Sequence, residues 1–302
     1  MLALIASLAR STVTFIRIAL CALLLITATA NTRADDVPAN RIVLGQISLS
    51  FYAVTAGVVQ EVLERLGHTV EVVQGSHGQI FPRLASGGVD ILVAAWLPHG
   101  HAVYWLQYGS AAKQLAVLYE GARFQWMVPA YVPSSAVASV EDLLKPDVLA
   151  RIEHEIHGTG RDSGNMMVSA QVMQVYGLDR AGYKLLPGTT QTFYANYDRA
   201  IAEQRWFVMP LWQPHYISRV GNMRAIAEPK GLLGAPNNGT LVASRSWVAR
   251  APERTLQFLR KIHLGSDAVA EMDYAVNVER LTARDAARRW MGRNPAVVEA
   301  WF

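Results

Sequence analysis

The sequence predicts an α/β protein of two halves built on a mostly parallel sheet. Two observations carry this. An early run alternates strand, helix, strand, helix and strand within about sixty residues, and later strands and helices follow with no low-complexity linker between the two sets. Residues 41–47 read as a first buried strand. Residues 53–66 then place Val54, Val58, Val62 and Leu66 at helical spacing, and Gly67 follows as a C-terminal stop. Residues 68–73 return as a strand, which completes a βαβ unit. A second helix over 79–85 ends at Ser86-Gly87-Gly88, and residues 89–95 form the next buried strand.

The middle of the chain has shorter elements. Residues 124–129 read as a strand, and 139–144 as a short helix with Ser139 as cap and an acidic first turn. Residues 158–164 form a glycine-rich polar loop, 166–176 a helix ending at Gly177, 198–204 a short helix, and 206–212 a buried strand. Residues 241–243 resume an extended run. Helices are expected at 253–263, 266–276 and 282–291. Two α/β halves without a long linker imply two lobes joined by crossing strands, and a cleft between lobes is a preferred place for a small ligand.

The first thirty-four residues have the make-up of a leader. Arg10 and Arg17 precede a short apolar run, and Thr32-Arg33-Ala34 offers a small-residue exit before Asp35. That order describes a secretory signal peptide. The apolar run is shorter than the ~20 residues a span needs, and Leu20 fits poorly before Cys21 as a lipoprotein signal. Removing 1–34 takes away three arginines and no acid, which lowers the formal charge from +4 to +1. The remaining domain is near neutral, so its charge gives no reason to expect nucleic acid. The only cysteine, Cys21, leaves with the leader, which removes disulfides and thiol chemistry together. The expected product is an exported protein without cofactor.

Two motifs stand out: Ala95-Trp96-Leu97-Pro98-His99 and Leu211-Trp212-Gln213-Pro214-His215. In each, an apolar strand stops at Trp-x-Pro, because proline cannot continue the ladder. Ligand clefts of open α/β sheets lie at such exits. Phe51 and Tyr52 follow the first strand in the loop before its helix, so aromatic rings stand at three exits. Indole faces attract bulky, weakly hydrated cations, at about 0.5–2 kcal/mol per well-placed face. Trp105, Trp206, Trp247, Trp290 and Trp301 read instead as packing residues. His215 can donate a hydrogen bond to a carboxylate or serve as a loop residue. Backbone N–H groups at the helix starts near Ala53 or Asn165 can do the same work.

Other chemistries find little support. His99 with His101, and His154 with His157 on one expected helix face, invite a zinc reading. The usual spacings and an acidic partner set are absent, so no metal ligands are assigned and these read as loop and surface histidines. Gly75-Ser76-His77-Gly78 only looks like a nucleophile elbow. The Gly158 to Gly164 loop is one residue off a dinucleotide fingerprint and lacks a clear preceding strand. No nucleophile stands beside a base, so binding is expected rather than catalysis.

The chain resembles the glycine betaine/choline class of periplasmic substrate-binding proteins of ABC transporters, from about Ile42 to Phe302. The matching pieces are Gly87-Gly88-Val89-Asp90 leading to Trp96-Leu97-Pro98, Trp126 to Tyr131, the Gly160 to Asn165 loop, Leu211 to His215, and Ala286 to Trp290 with Asn294-Pro295 and Trp301. The resemblance implies a two-lobed Venus-flytrap fold (type II) with mixed sheets flanked by helices. It also implies an aromatic cage for a trimethylammonium head and delivery by a monomer to a membrane permease. With the leader at 1–34, lobe 1 would take 36–120, lobe 2 would take 121–233, and 234–302 would return to lobe 1. Trp96 and Trp212 fall on cage positions, His215 on a carboxylate-side position and Asn165 on a ligand-contacting loop. Phe124 and Trp126 fall where the second lobe adds a ring.

One departure matters. The family commonly shows a tryptophan and then an acid after the first strand. Here Ser48-Leu49-Ser50-Phe51-Tyr52 stands there, so Phe51 or Tyr52 would supply the third ring. The missing acid favours a zwitterion over a bare cation. The alternatives are a different small amino-acid-like ligand, such as histidine or proline betaine, and a metal-binding or sensor protein that uses the histidines.

Overall fold

The structure, a computed structural model, describes residues 40–302, which form one compact unit. The expected signal peptide and Cys21 lie outside the described residues. The βαβ start is present. Strand β1 (Arg41–Ile47) pairs in parallel with β2 (Thr69–Gly75) on one side and β3 (Ile91–Leu97) on the other. Helices α1 (Ser50–Arg65) and α2 (His77–Ser86) connect them. Helix α1 begins three residues earlier than its valine spacing predicts. Phe51 and Tyr52 are both buried, so they extend its apolar face by a turn toward the N-terminus and lie in the helix rather than in a loop.

After the short helix α3 (Ala102–Tyr108), the chain enters β4 (Ala112–Pro129), an eighteen-residue strand. Only its last six residues are predicted from the sequence. Its first part pairs antiparallel with β9 (Asn237–Ser244) as far as Ala122, and β9 in turn pairs with β3. From Arg123 onward β4 pairs with β7 (Met209–Gln213), and its end pairs with β8 (Met223–Ala225). Gly121, with φ +72, lies where β4 changes partners, a conformation glycine adopts at no steric cost. The sheet therefore runs β2-β1-β3-β9-β4-β7, parallel at one end and antiparallel at the other.

Between these strands lie β5 (Glu155–His157), β6 (Lys184–Leu186), α4 (Gly164–Tyr176) and α5 (Thr190–Ala202). The stretch holding His154 and His157 is thus a turn and a strand, not a helix. β5 pairs in parallel with β6, so the helical face that suggested a metal pair does not form. Helices α6 (Glu253–Lys261), α7 (Ser266–Asn277) and α8 (Ala283–Arg293) close the chain near their predicted bounds.

The buried apolar residues fall into two clusters. The larger gathers β1, β3, β9 and the helices around them, and it includes Trp96 and Trp212. The smaller centres on Trp126, Val128, Val172 and Val208. The fold is the mixed α/β, two-lobed architecture that the resemblance implies, but the mostly parallel sheet expected from the strand–helix alternation is confined to β2-β1-β3, because β9, β4 and β7 join antiparallel. No helix among the described residues is long and apolar enough to cross a membrane.

Candidate functional site

The ends of β1, β3 and β7 converge on one aromatic cavity. Trp96 is the penultimate residue of β3, and Trp212 is that of β7. The antiparallel register of β4 and β7 sets Phe124 directly opposite Trp212. Phe51, in the first turn of α1, stands between the two indoles, with ring centroids 5.7 Å from Trp96 and 5.6 Å from Trp212. Phe124 lies 5.2 Å from Trp96. These rings, with Leu49, Tyr52, Thr159, Ser163, Gly164 and Asn165, line one narrow cavity.

The ring positions are fixed by hydrogen bonds behind them. Trp96 Nε1 donates to Tyr119 Oη at 2.9 Å. Gly239 on β9 makes room for Tyr119, because a Cβ there would run into its ring. The Trp96 backbone is held by His101 from both sides: Trp96 N–H donates to His101 Nδ1 at 3.0 Å, and His101 N–H donates to the Trp96 carbonyl at 2.8 Å. With Nδ1 accepting, the proton of His101 sits on Nε2, which faces Tyr52 Oη at 3.4 Å. So His101 is not a surface histidine. It is buried and locks the turn that carries Trp96. Asn237 Oδ1 accepts from His99 N–H and Gly100 N–H, both at 2.8 Å, and fixes the rest of that turn.

Trp212 is backed by Phe193, stacked at 5.8 Å, and by His215, edge-on at 4.7 Å. His215 is fully buried and lies behind Trp212 rather than in the cavity lining. Its Nδ1 accepts from Ile217 N–H at 3.1 Å, which leaves the proton on Nε2 facing Tyr194 Oη at 3.2 Å. Trp126 also lies apart. It is buried in the smaller core, where Nε1 donates to Ser169 Oγ at 3.0 Å. Of the residues singled out in the sequence, Phe51, Tyr52, Trp96, Phe124, Asn165 and Trp212 line the cavity, and Trp126 and His215 do not.

Polar groups mark one side. Ser163 caps α4 by accepting from Met166 N–H, so Gly164 N–H and Asn165 N–H, the first of the helix, remain without partners among the described residues. Asn165 Nδ2 donates to the Pro210 carbonyl at 3.1 Å, and this fixes the amide's orientation. Its Oδ1 is buried without a partner, as is Trp212 Nε1. A buried unpaired donor and acceptor cost free energy unless a ligand meets them. Gly164 packs so closely on the Gly100 carbonyl that a Cβ could not fit.

The same segment is tied to the opposite wall. Asp162 Oδ2 accepts from Gly78 N–H at 2.8 Å, Tyr104 Oη donates to the Asp162 carbonyl at 2.7 Å, and Thr190 Oγ1 donates to the Ser48 carbonyl at 2.9 Å. Burial raises the Asp162 carboxyl, but hydrogen bonds from Ser76 and Gly78 and the nearby His77 outweigh it and hold it below its ordinary value. His77 lines the cavity too, although the sequence marks it only within the elbow-like Gly75-Ser76-His77-Gly78 and not as a ligand contact. A signal was available, since Gly75-Ser76-His77 is a strand exit of the same kind as the stretch before Phe51. Among the described residues no three His, Cys, Asp or Glu side chains are grouped to hold a metal ion.

Burial pushes His77 down to about 4 and His215 down to about 3, so both are neutral at pH 7. The unfolded chain then binds more protons than the folded one below about 6.5, the ordinary histidine value. Stability should therefore fall as pH drops through that value, by about 1.4 kcal/mol per pH unit for each histidine. Asp273, raised by burial to about 6, acts in the opposite sense and offsets one of them between about pH 6 and 4. The expected result is a Tm that declines steadily from pH 6.5 to pH 4. A flat or rising Tm over that range would show that these histidines are not buried neutral.

A family profile described as the substrate-binding domain of ABC-type glycine betaine transport systems matches residues 40–293. The chain belongs to that family. Among curated relatives of this substrate-binding domain is the glycine betaine/carnitine transport binding protein GbuC of Listeria monocytogenes serotype 1/2a (strain 10403S). It is 24% identical over 158 residues, which is 52% of this chain and 52% of that protein. The match thus spans about half of that relative's length. A second relative, an uncharacterized protein, ORF1, from Chromohalobacter salexigens, is 30% identical over 114 residues, covering 37% of this chain and 70% of that one. Lactococcal OpuAC in its closed-liganded conformation with glycine betaine superposes with a TM-score of 0.78 at 22% identity, covering 87% of this chain and 99% of that one. An ABC-transporter choline-binding protein in complex with choline gives 0.77 at 15% identity, covering 87% and 91%. These likenesses show the shared fold. The substrate-binding domain described here keeps the fold while placing Phe51 between its two indoles.

Proposed function

We propose that this protein captures glycine betaine or a closely related trimethylammonium zwitterion outside the cytoplasm and hands it to the membrane permease of an ABC importer, without chemistry. The observation that carries this reading is one small cavity with two opposed characters. Phe51, Trp96, Phe124 and Trp212 offer ring faces to a cation that holds little water. Gly164 N–H and Asn165 N–H, at the positive end of the thirteen-residue helix α4, offer donors to a carboxylate. A zwitterion a few atoms long satisfies both ends, and no charged side chain is needed at either.

His215 then acts on the ligand through Trp212, whose ring it holds edge-on. The ties from Asp162 and Thr190 to Gly78 and Ser48 serve as closing contacts between lobe 1 (residues 36–120 and 234–302) and lobe 2 (121–233). The switch of β4 from β9 to β7 at residues 122–123 supports that division. Export through the leader at 1–34 and action as a monomer complete the proposal.

Intrinsic tryptophan fluorescence tests it, because Trp96 and Trp212 line the cavity. Titration with glycine betaine, proline betaine, choline, carnitine and histidine should give a saturable change with at least one quaternary ammonium compound. No change with any of them, or a change with histidine alone, would sink the ligand class.

A further inference from the structure

We propose that His77 is a specificity-determining contact that reads a hydroxyl group on the chain of the ligand. The inference rests on the trimethylammonium reading of the cavity and narrows it to hydroxylated zwitterions.

His77 opens α2 and is only 5% exposed. Its ring packs 4.8 Å from His101 and stacks at 6.0 Å on Tyr104. It lines the aromatic cavity and also an adjoining chamber of about 300 Å³, so it stands at their junction. Neither of its ring nitrogens has a hydrogen-bond partner among the described residues. The contrast with the other buried histidines of this region is direct, since His101 and His215 have both nitrogens engaged. The His77 nitrogens are not among the buried polar atoms that lack a partner, so they open onto the cavity and can meet a ligand group there.

The neighbours decide which group. Two of the hydroxyl contacts around the junction are already made: Thr159 with Ser163 at 3.0 Å, and Thr190 to the Ser48 carbonyl. Asp162 places a carboxylate in the adjoining chamber, so a second anion there is disfavoured. No lysine or arginine lines either space to offset it. A neutral imidazole presents one N–H and one bare nitrogen. An uncharged group that both donates and accepts is its complement, and a hydroxyl is the smallest such group. The ligand carboxylate is meanwhile met by the start of α4, so the hydroxyl belongs on the chain between the two charges.

Carnitine and γ-butyrobetaine test this, since they differ by one hydroxyl. Calorimetric titration of the wild-type protein should show carnitine bound about tenfold more tightly, the worth of one hydrogen bond between neutral groups. His77→Phe should bring the ratio close to one, while His77→Gln, which keeps a donor and an acceptor, should retain part of it. His77→Leu gives the same comparison if phenylalanine is not accommodated. Equal affinities in the wild type, or an unchanged ratio in the apolar variants, would overturn the role of His77. Glycine betaine is titrated alongside. If it binds while the pair shows no preference, only this inference fails; if none of the three binds, the trimethylammonium reading fails with it.

Discussion

Replacing Trp212 by leucine should weaken binding of glycine betaine by about thirtyfold or more. Leucine keeps an apolar side chain at the end of β7 but removes the ring face that attracts a cation. A well-placed face is worth up to about 2 kcal/mol when desolvated, and about 2 kcal/mol is a factor near thirty in Kd. Trp212 is 3% exposed and packed on Phe51, Phe193 and His215, so its loss also loosens the neighbouring rings. Trp96→Leu should act in the same direction and also lose the bond to Tyr119. Trp212→Phe should recover much of the affinity, because it restores a ring face. The check is calorimetric titration of each variant, with thermal unfolding to confirm that it is folded. A leucine variant that binds as tightly as the phenylalanine one would mean that area alone, not the cation–ring attraction, holds the ligand.

Gly164→Ala should be nearly as damaging, for a different reason. An added Cβ would strike the Gly100 carbonyl and touch the Phe124 ring, and the carbonyl belongs to backbone that Asn237 holds in place. Overpacking of this kind costs about 1–3 kcal/mol, or roughly five- to 150-fold in Kd where the contact forms only on closure. Alanine is meanwhile a better helix former than glycine. The unliganded variant should therefore unfold no earlier than the wild type while binding glycine betaine far more weakly. A lowered Tm together with unchanged affinity would place the Gly100–Gly164 contact in both ligand states and remove it from closure.

Much of this was readable in the sequence, because the physics that sets it is local. The βαβ start followed from valine spacing and Gly67, and the positions of Trp96 and Trp212 followed from prolines that end their strands. The helix at Gly164–Tyr176 was framed by Gly177. Other features depend on partners distant in sequence. β4 is long because β9 pairs with its first half across more than a hundred residues, and nothing within residues 112–122 announces that. Helix α1 begins early because Phe51 finds two indoles to pack against. His101 looked like a loop residue because its partners, the Trp96 backbone and Tyr52, meet it only once the turn forms. His77 stands at a strand exit the sequence does show, but its neighbours Tyr104 and His101 lie on the turn and helix after β3, so its place in the cavity depends on the fold. The departure after the first strand, where Phe51 or Tyr52 is expected to supply a ring, is the place where Phe51 packs against both Trp96 and Trp212.

The most direct test of the aromatic cage is a methyl series. Glycine betaine, dimethylglycine, sarcosine and glycine share a carboxylate and differ only in the methyl groups on nitrogen. Each methyl removed exposes an N–H that demands water and withdraws about 0.8 kcal/mol of apolar burial, so calorimetric affinity should fall by at least about fourfold per step. Binding should be tightest for glycine betaine and absent for glycine. Glycine or sarcosine binding as tightly as glycine betaine would contradict a site built from ring faces around a trimethylammonium group.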